Sequence, residues 1–179
     1  STGSDDMPHQ IIEYSANLEA DLDIDTLVQT MHDAAVGLDA LPIGGIRTRA
    51  ARRDVFRVSD SHPDNTFINV TLRIAPRPPE IQKEVGERLF DALKQFVQRA
   101  FDERPMALSL EIQEIDAEFR WKHSNIRDYL AQRNGQMSEL DNNLQKIEKL
   151  LAPLKKETLP HFINGKRDAG RSGKTFEGY

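Results

Sequence analysis

The chain contains no cysteine, which excludes disulfide bonds and thiolate metal sites outright. No segment approaches the roughly 20 consecutive apolar residues that a helix needs to span a bilayer. The start of the chain lacks the apolar core of a secretory signal, and its polar first residues read like a leader or a tag remnant. With 38% hydrophobic and 30% charged residues, the composition is typical of a soluble globular protein. We therefore expect a cytoplasmic protein without a membrane segment.

Positive charge is also scarce. The 24 Lys and Arg residues are outnumbered by 29 Asp and Glu residues, which gives a formal net charge of −5. Because contacts to nucleic-acid phosphates need a basic surface, no nucleic-acid partner is expected. The sequence has no phosphate-binding loop, no GxSxG turn and no dinucleotide fingerprint, and its histidines lack metal-ligand spacing, so no metal site is predicted. A local basic pocket for a small anion is still compatible with this negative net charge.

What is present is a strand-helix-strand pattern that occurs twice. In the first unit, Ile11 and Ile12 mark a short strand, and Asp23 can cap the helix that follows. A second strand is predicted to begin near Ile46, and the stretch from Arg52 to Val58 is interpreted as a possible further strand. The predicted helix repeats its apolar residues at helical spacing: Ile24, Leu27, Val28, Met31, Ala35 and Leu38.

The second unit repeats this order. Residues 67–74 alternate apolar and polar side chains, which predicts a half-buried strand. Prolines end that strand, and a long helix is predicted from about Pro79 to Asp102. After Pro105 the alternation returns as another strand. A crossover helix usually joins parallel strands, so we predict an α/β fold of two β-α-β units in a two-layer sandwich.

The C-terminal part, residues 135–179, has a different pattern. Ser138, with Asp141 three residues later, resembles a helix start. Because the seam covers barely two heptads and contains Pro153, we favour an amphipathic helix docked on its own protein or on a neighbouring subunit over a free coiled coil. Leucine and isoleucine residues form the heptad seam of this predicted helix: Leu140, Leu144, Ile147, Leu151 and Leu154.

Residues 137–179 also resemble the N-terminal tip of an aldehyde dehydrogenase. The similarity is carried by HFINGK from His161 and by SGKTFE from Ser172. It includes none of the catalytic or cofactor-binding parts of that family, so no dehydrogenase activity follows. Glycines and charges from Gly165 to Tyr179 predict a flexible end.

Pro8 is the most distinctive candidate residue. It follows Met7 directly, and if the chain were to begin at Pro8, its nitrogen would be a free secondary amine able to act as a base. Free α-amino groups have a pKa near ~8, and an apolar pocket with neighbouring arginines would lower that pKa further. Taken alone, Met-Pro can also be no more than a common start dipeptide.

Four segments decide between these interpretations: MPHQIIEYSANL from Met7, LPIGGIRTRA from Leu41, TFINVTLRIAP from Thr66 and ERPMALSLEIQEIDAEFRWKHSNI from Glu103. In this order they resemble the 5-carboxymethyl-2-hydroxymuconate isomerases of the tautomerase superfamily, over residues 7–134. The resemblance implies a tautomerase-like fold that assembles as a homotrimer. It also implies that Pro8 shuttles a proton, without a cofactor, on a hydroxymuconate formed in aromatic-compound degradation. The chain is accordingly divided into a leader or tag remnant (1–6), an isomerase domain (7–134) and an extension (135–179).

Arginines are the candidates for holding the di- or tricarboxylate substrate of such an enzyme. Arg47 and Arg49 lie two residues apart on a predicted strand, so their guanidinium groups share one face, and each can bind a carboxylate with two hydrogen bonds. We assign Arg47 to catalysis beside Pro8, and Arg49 to substrate binding. By the resemblance, Arg73 and Arg77 supply further positive charge near the proline, and surface ion pairing is an equally good interpretation of Arg73.

Two further residues complete the predicted site. His9 is adjacent to the proposed base, although strand alternation turns its side chain away from that of Pro8. Phe67 would line an apolar wall that keeps the proline nitrogen neutral, but core packing is the more frequent role of such a residue. A second functional hypothesis is a catalytically silent trimeric binding module, because Pro8 loses its basic lone pair wherever residues 1–7 stay attached.

Overall fold

The computed structural model describes the backbone of residues 6–176 and the side chains of residues 6–153. It divides into two compact units, Ser1–Ile126 and Arg127–Tyr179. None of the helices in the described part is long and apolar enough to cross a membrane.

The first unit contains the two predicted β-α-β repeats. The first repeat is β1 (His9–Ser15), α1 (Ile24–Val36) and β2 (Arg47–Arg53), and the second is β3 (Thr66–Ile74), α2 (Pro79–Glu103) and β4 (Met106–Glu114). The strands form one sheet in the order β2-β1-β3-β4. Within each repeat the two strands are parallel, whereas the central pair β1 and β3 is antiparallel. The predicted α/β class and the two-unit architecture are therefore confirmed.

Local chemistry fixes the ends of the helices. The Asp23 carboxylate accepts hydrogen bonds from Asp25 N and from Thr26 Oγ1, as expected of the residue that caps α1. The first residue of α2 is Pro79, where the missing N–H costs no hydrogen bond. Both helices therefore begin where the sequence predicted.

The core lies between the helices and one face of the sheet. Strand alternation turns Ile12 of β1 and Ile68, Val70, Leu72 and Ile74 of β3 toward the helices, where all five side chains are fully buried. The helices contribute equally buried partners: Leu27 and Met31 of α1, and Leu89, Leu93 and Val97 of α2. The intervening side chains of the same strands, most of them polar, are left on the opposite face, which we call the open face, whereas the polar Gln10 is buried on the core side, where its amide donates to Met31 O.

The possible strand from Arg52 to Val58 is wrong. β2 ends at Arg53, and residues 54–65 form a loop in which Ser59 and Ser61 have positive φ angles of 52° and 66°. The Asn65 amide closes this loop by donating hydrogen bonds to Val58 O and Asp60 Oδ1. The bond to Val58 O satisfies a backbone carbonyl that a strand would have paired within the sheet.

The second unit is the helix α3 (Ile126–Phe176). The prediction of a helix start at Ser138 is wrong, because α3 begins twelve residues earlier, where Ser124 Oγ accepts a hydrogen bond from Ile126 N. The bounds of α3 extend into the predicted flexible end from Gly165 to Tyr179. The side chains of that segment, and of most of the stretch resembling aldehyde dehydrogenases, lie outside the described residues.

Candidate active site

A cluster of cations occupies the open face at the end of the sheet where β1 begins. In the strand register, His9 of β1 lies opposite Arg47 of β2 on one side and opposite Arg73 of β3 on the other. Neighbouring strands are only ~4.8 Å apart, so the two arginines flank the imidazole. Arg49, one step further along β2, places its Nη1 atom 3.1 Å from His9 Nδ1. The structure thus brings four of the predicted site residues together.

His9 responds to these surroundings. Burial, followed by the positive charges of Arg49, Arg47, Arg73 and Arg120, lowers the pKa of His9 below its ordinary value of 6.5. A guanidinium can only donate, so His9 Nδ1 accepts the bond from Arg49, and the neutral ring carries its proton on Nε2. His9 is therefore neutral at pH 7 and adds no charge of its own to the cluster.

We expect the pKa of His9 to rise part of the way back toward 6.5 in Arg49→Gln, because one cation is removed while burial, the larger cause, remains. An NMR titration of the imidazole measures this pKa, and Arg53→Gln, at the far end of the same strand, is the matched control. The pKa of His9 is higher in the unfolded chain than in the folded chain, so protonation of His9 favours unfolding. The free energy of unfolding should therefore fall as the pH drops below about 6.5. A pKa of His9 that is the same in Arg49→Gln as in the unmodified chain would contradict the arrangement.

Pro8 lies immediately before β1, at the edge of the cation cluster. It is buried, and its carbonyl oxygen accepts a hydrogen bond from Arg47 N at 3.0 Å. This bond continues the β1–β2 pairing and fixes the proline beside the first residue of β2. In this chain Pro8 is preceded by Met7, so its nitrogen is an amide without a basic lone pair.

A carboxylate site lies next to Pro8. The Asp6 side chain is fully buried, and its carboxylate accepts hydrogen bonds from Ala75 N at 3.0 Å and from Arg77 Nη2 at 2.6 Å. Arg120 Nη1 is 3.9 Å from the same carboxylate. Since two residues of extended chain span at most ~7 Å, the Cα atom of Asp6 lies within that distance of the Cα atom of Pro8. They form a built site for one carboxylate.

Arg77 is held in place by the backbone around this site. Its guanidinium also donates to Ala40 O at 3.2 Å and to Ala75 O at 3.3 Å, and its side chain is only 12% exposed. Three contacts therefore fix the guanidinium group: Ala40 after α1, Ala75 at the end of β3 and the Asp6 carboxylate. Preorganisation of this kind means that little side-chain entropy is lost when a carboxylate binds.

Gly45 explains how Asp6 and Met7 reach this position. A Cβ atom on Gly45 would lie 2.3 Å from Asp6 O and 2.9 Å from Met7 Cα, so only glycine allows the two backbones to approach so closely. The residues before Pro8 therefore fill the space between Gly45 and the carboxylate site. A chain that began at Pro8 would leave that space open beside the proline nitrogen.

The structure separates one predicted residue from the rest. Phe67 lies at the opposite end of β3 from Arg73, about 20 Å away at the usual rise per strand residue. Its ring makes an edge-to-face contact with Phe56, with centroids 6.2 Å apart. Within one chain, Phe67 is therefore no part of the group around Pro8.

Sequence reasoning missed Arg120 and Asp6. Arg120 contributes to the low pKa of His9 and lies beside Asp6, so it faces both groups of the site. It falls within the last of the four segments that carried the resemblance, which was the available signal. Asp6 was assigned to the leader, and no pattern in that polar stretch indicates a buried carboxylate.

Known proteins with similar sequences belong to one family. The sequence profile of the family described as 5-carboxymethyl-2-hydroxymuconate isomerase matches residues 8–130. The chain is 31% identical over 121 residues to 5-carboxymethyl-2-hydroxymuconate Delta-isomerase of Escherichia coli, a match that covers 67% of this chain and 96% of that protein.

Solved structures give the same result. The crystal structure of a 5-carboxymethyl-2-hydroxymuconate isomerase from Deinococcus radiodurans R1 is 35% identical, covers 69% of this chain and 94% of its own, and superposes with a TM-score of 0.65. A crystal structure of 5-carboxymethyl-2-hydroxymuconate delta-isomerase, 24% identical with a TM-score of 0.64, shares the fold over 69% of this chain and 93% of its own.

Proposed function

This chain belongs to the 5-carboxymethyl-2-hydroxymuconate isomerase family, and we propose that its substrate is 5-carboxymethyl-2-hydroxymuconate or a similar hydroxymuconate from aromatic-compound degradation. The reaction is a 1,3-proton shift that converts an enol to a ketone. The enol O–H bond and one C=C π bond break while a C=O π bond and a C–H bond form, so the reaction needs no oxidant and no cofactor.

Pro8 is the proposed base. As a free N-terminus, its neutral secondary amine removes the enol proton and then delivers it to carbon as an ammonium acid. The cations around His9 favour the neutral amine, because like charges disfavour protonation. Arg47, hydrogen-bonded through its backbone to Pro8, stabilises the negative charge that develops on the enol oxygen. Arg49, Arg73 and the neutral His9 line the adjoining surface for the rest of the substrate.

The bound Asp6 carboxylate is the observation that supports the substrate class best. Ala75 N and Arg77 hold it with a charge-assisted geometry that any carboxylate can adopt. In a chain that begins at Pro8, one carboxylate of the substrate would replace that of Asp6, while Arg120 approaches from the other side. The site thus fits a small anion with two or three carboxylates better than a monoacid.

We propose that the enzyme is a homotrimer. Two aromatic side chains of the first unit, Phe119 and Trp121, are 70% and 85% exposed in the single chain, and large exposed apolar side chains are typical of protein interfaces. The sheet ends in two edge strands, β2 and β4, which a closed ring of subunits would cover. In such a trimer, Phe67 would contribute only to the active site of a neighbouring subunit, because it lies far from the site of its own chain.

The alternative function, a catalytically silent binding module, is favoured by one feature of this chain. Pro8 is an amide here, and Asp6 fills the carboxylate site, so the 179-residue form has neither the base nor an empty pocket. The two functions differ in one measurement: a chain beginning at Pro8 ketonises the hydroxymuconate if the enzyme assignment is right.

Arg47→Ala, in a chain that begins at Pro8, should lower kcat/KM about tenfold or more, because a charge-assisted hydrogen bond contributes roughly 1.5–3 kcal/mol. Arg47→Lys should not restore the rate fully, since an ammonium cannot reproduce the planar fork. Arg53→Ala is the control, because Arg53 lies on the same face of β2 and pairs with Glu13 at 2.8 Å.

The assay compares kcat/KM on a dicarboxylate with that on its monoacid analogue. Wild-type chain should prefer the dicarboxylate, and Arg47→Ala should lose part of that preference. If Arg47→Ala discriminates between the two substrates as the wild type does, Arg47 is a surface charge and the proposed site is wrong.

A further inference from the structure

A heptad seam runs along α3, and it is longer than the sequence alone indicated. Because the helix begins at Ile126, the spacing of four and three residues continues without a break up to Leu151. The positions called a are Leu130, Met137, Leu144 and Leu151, and the positions called d are Ile126, Arg133, Leu140 and Ile147. A strict seven-residue repeat sustained over nearly four heptads imposes a left-handed supercoil with another helix of the same repeat.

The seam side chains lie on the surface of the single chain. Met137 and Leu140 are 63% and 58% exposed, and Leu144, Ile147 and Leu151 are 41% to 50% exposed. Seven of the eight seam positions are apolar, which is a far larger exposed stripe than a soluble helix keeps uncovered. The exception, Arg133, turns its guanidinium to 5.9 Å from the ring of Tyr129, which lies at a flanking position. Pro153 lies after Leu151 and leaves the seam from Ile126 to Leu151 intact.

The flanking residues favour parallel copies of this same helix. In a parallel pair, Gln136 faces Asp141 and Asn143 faces Glu148, and each pair joins an amide donor to a carboxylate acceptor. In an antiparallel pair, Asp141 and Glu148 flank the same side and bring like charges together. The heptad with Leu144 at a and Ile147 at d favours more than two strands, since leucine at a with isoleucine at d disfavours dimers.

We propose that α3 forms a parallel three-stranded coiled coil with the α3 helices of two further copies of this chain, along the seam from Ile126 to Leu151. The surface shares no residue with the candidate active site and needs no catalytic activity. It gives the assembly a second contact, in addition to any contact made by the isomerase domains.

The absence of cysteine allows a direct test in the full chain, because one introduced cysteine is the only thiol. Met137→Cys and Leu151→Cys, made separately, place a thiol at the middle and at the C-terminal end of the seam, and Asn142→Cys places one on the outer face. We expect mild oxidation to give a covalent dimer within the assembly for both seam variants, at least about tenfold faster than for Asn142→Cys. Sedimentation of the unoxidised chain should give a trimer.

The outcomes separate the alternatives. In a parallel, in-register bundle both seam positions cross-link, whereas an antiparallel pair brings like positions together only near the middle of the seam, so cross-linking of a single seam variant would overturn the proposal. Equal rates for all three variants would mean that the helices are close without a specific seam, and would overturn it as well. No cross-linking in a chain that still sediments as a trimer would assign the trimer to the isomerase domains alone and leave the seam to a partner of another kind.

Discussion

A chain that begins at Pro8 should ketonise the hydroxymuconate about 10² to 10⁴ times faster than the 179-residue chain, which is the contribution expected of a positioned general base. Two obstacles disappear together when residues 1–7 are removed. The proline nitrogen regains its lone pair, and the buried Asp6 and Met7 leave the space beside Gly45. The measurement is kcat/KM of both forms, each with its N-terminus verified by mass spectrometry.

A chain that begins at Met7 is the matched control for this comparison. It lacks Asp6, so its carboxylate site is empty, but its Pro8 nitrogen is still an amide. We expect it to be as inactive as the 179-residue chain. If the Met7 form were as fast as the Pro8 form, the leader would act only by filling the pocket, and Pro8 would not be the base.

Arg77→Ala should lower the free energy of unfolding of the 179-residue chain by about 3–5 kcal/mol. Removing one partner of a buried ion pair is strongly destabilising, and here the fully buried Asp6 carboxylate would keep only Ala75 N and the more distant Arg120, while Arg77 is itself 12% exposed. In a chain that begins at Pro8 no such charge remains, so the cost should fall to about 1–2 kcal/mol from the lost bonds to backbone carbonyls. In that short form, kcat/KM should instead fall about ten- to a hundredfold as the substrate carboxylate loses its partner.

Denaturant unfolding of both forms, with and without the substitution, measures the stability part of this prediction. Adding Asp6→Asn to Arg77→Ala in the long chain should restore much of the lost stability, because the buried charge is removed as well. Arg88→Ala on α2 is the surface control, since its contact with Glu84 is long and exposed. A stability loss of the same size in the long and short forms would show that Arg77 acts only as a structural residue.

Periodicity predicted most of the isomerase domain. The alternation in β3 and the helical spacing in α1 each report one buried face, and burial is the property that the sequence encodes most directly. The loop after Arg53 was misread because Arg52 to Val58 offers an acceptable strand composition, while the side chain that closes the loop, Asn65, lies outside that stretch. Turn chemistry of this kind depends on contacts between residues that no local pattern joins.

The site was only partly predictable, for a related reason. Arg47 and Arg49 share a face by simple alternation, so their proximity follows from the sequence. Their position beside Arg73 depends on the antiparallel pairing of β1 with β3, which neither β-α-β unit specifies by itself. Arg120 and Asp6 enter the site from two ends of the domain, and only the folded chain brings them together.

The antiparallel pairing at the centre of the sheet relates the two β-α-β units by an approximate two-fold axis, so each feature of one unit has a counterpart in the other. The counterpart of Pro8, which precedes β1, is Asn65, which precedes β3. Asn65 is internal to the chain, and its nitrogen is a peptide amide however the N-terminus is processed. The duplicated fold therefore provides one position per chain for an amine base, and a reagent selective for secondary amines should label a Pro8-started assembly with a stoichiometry of one per subunit.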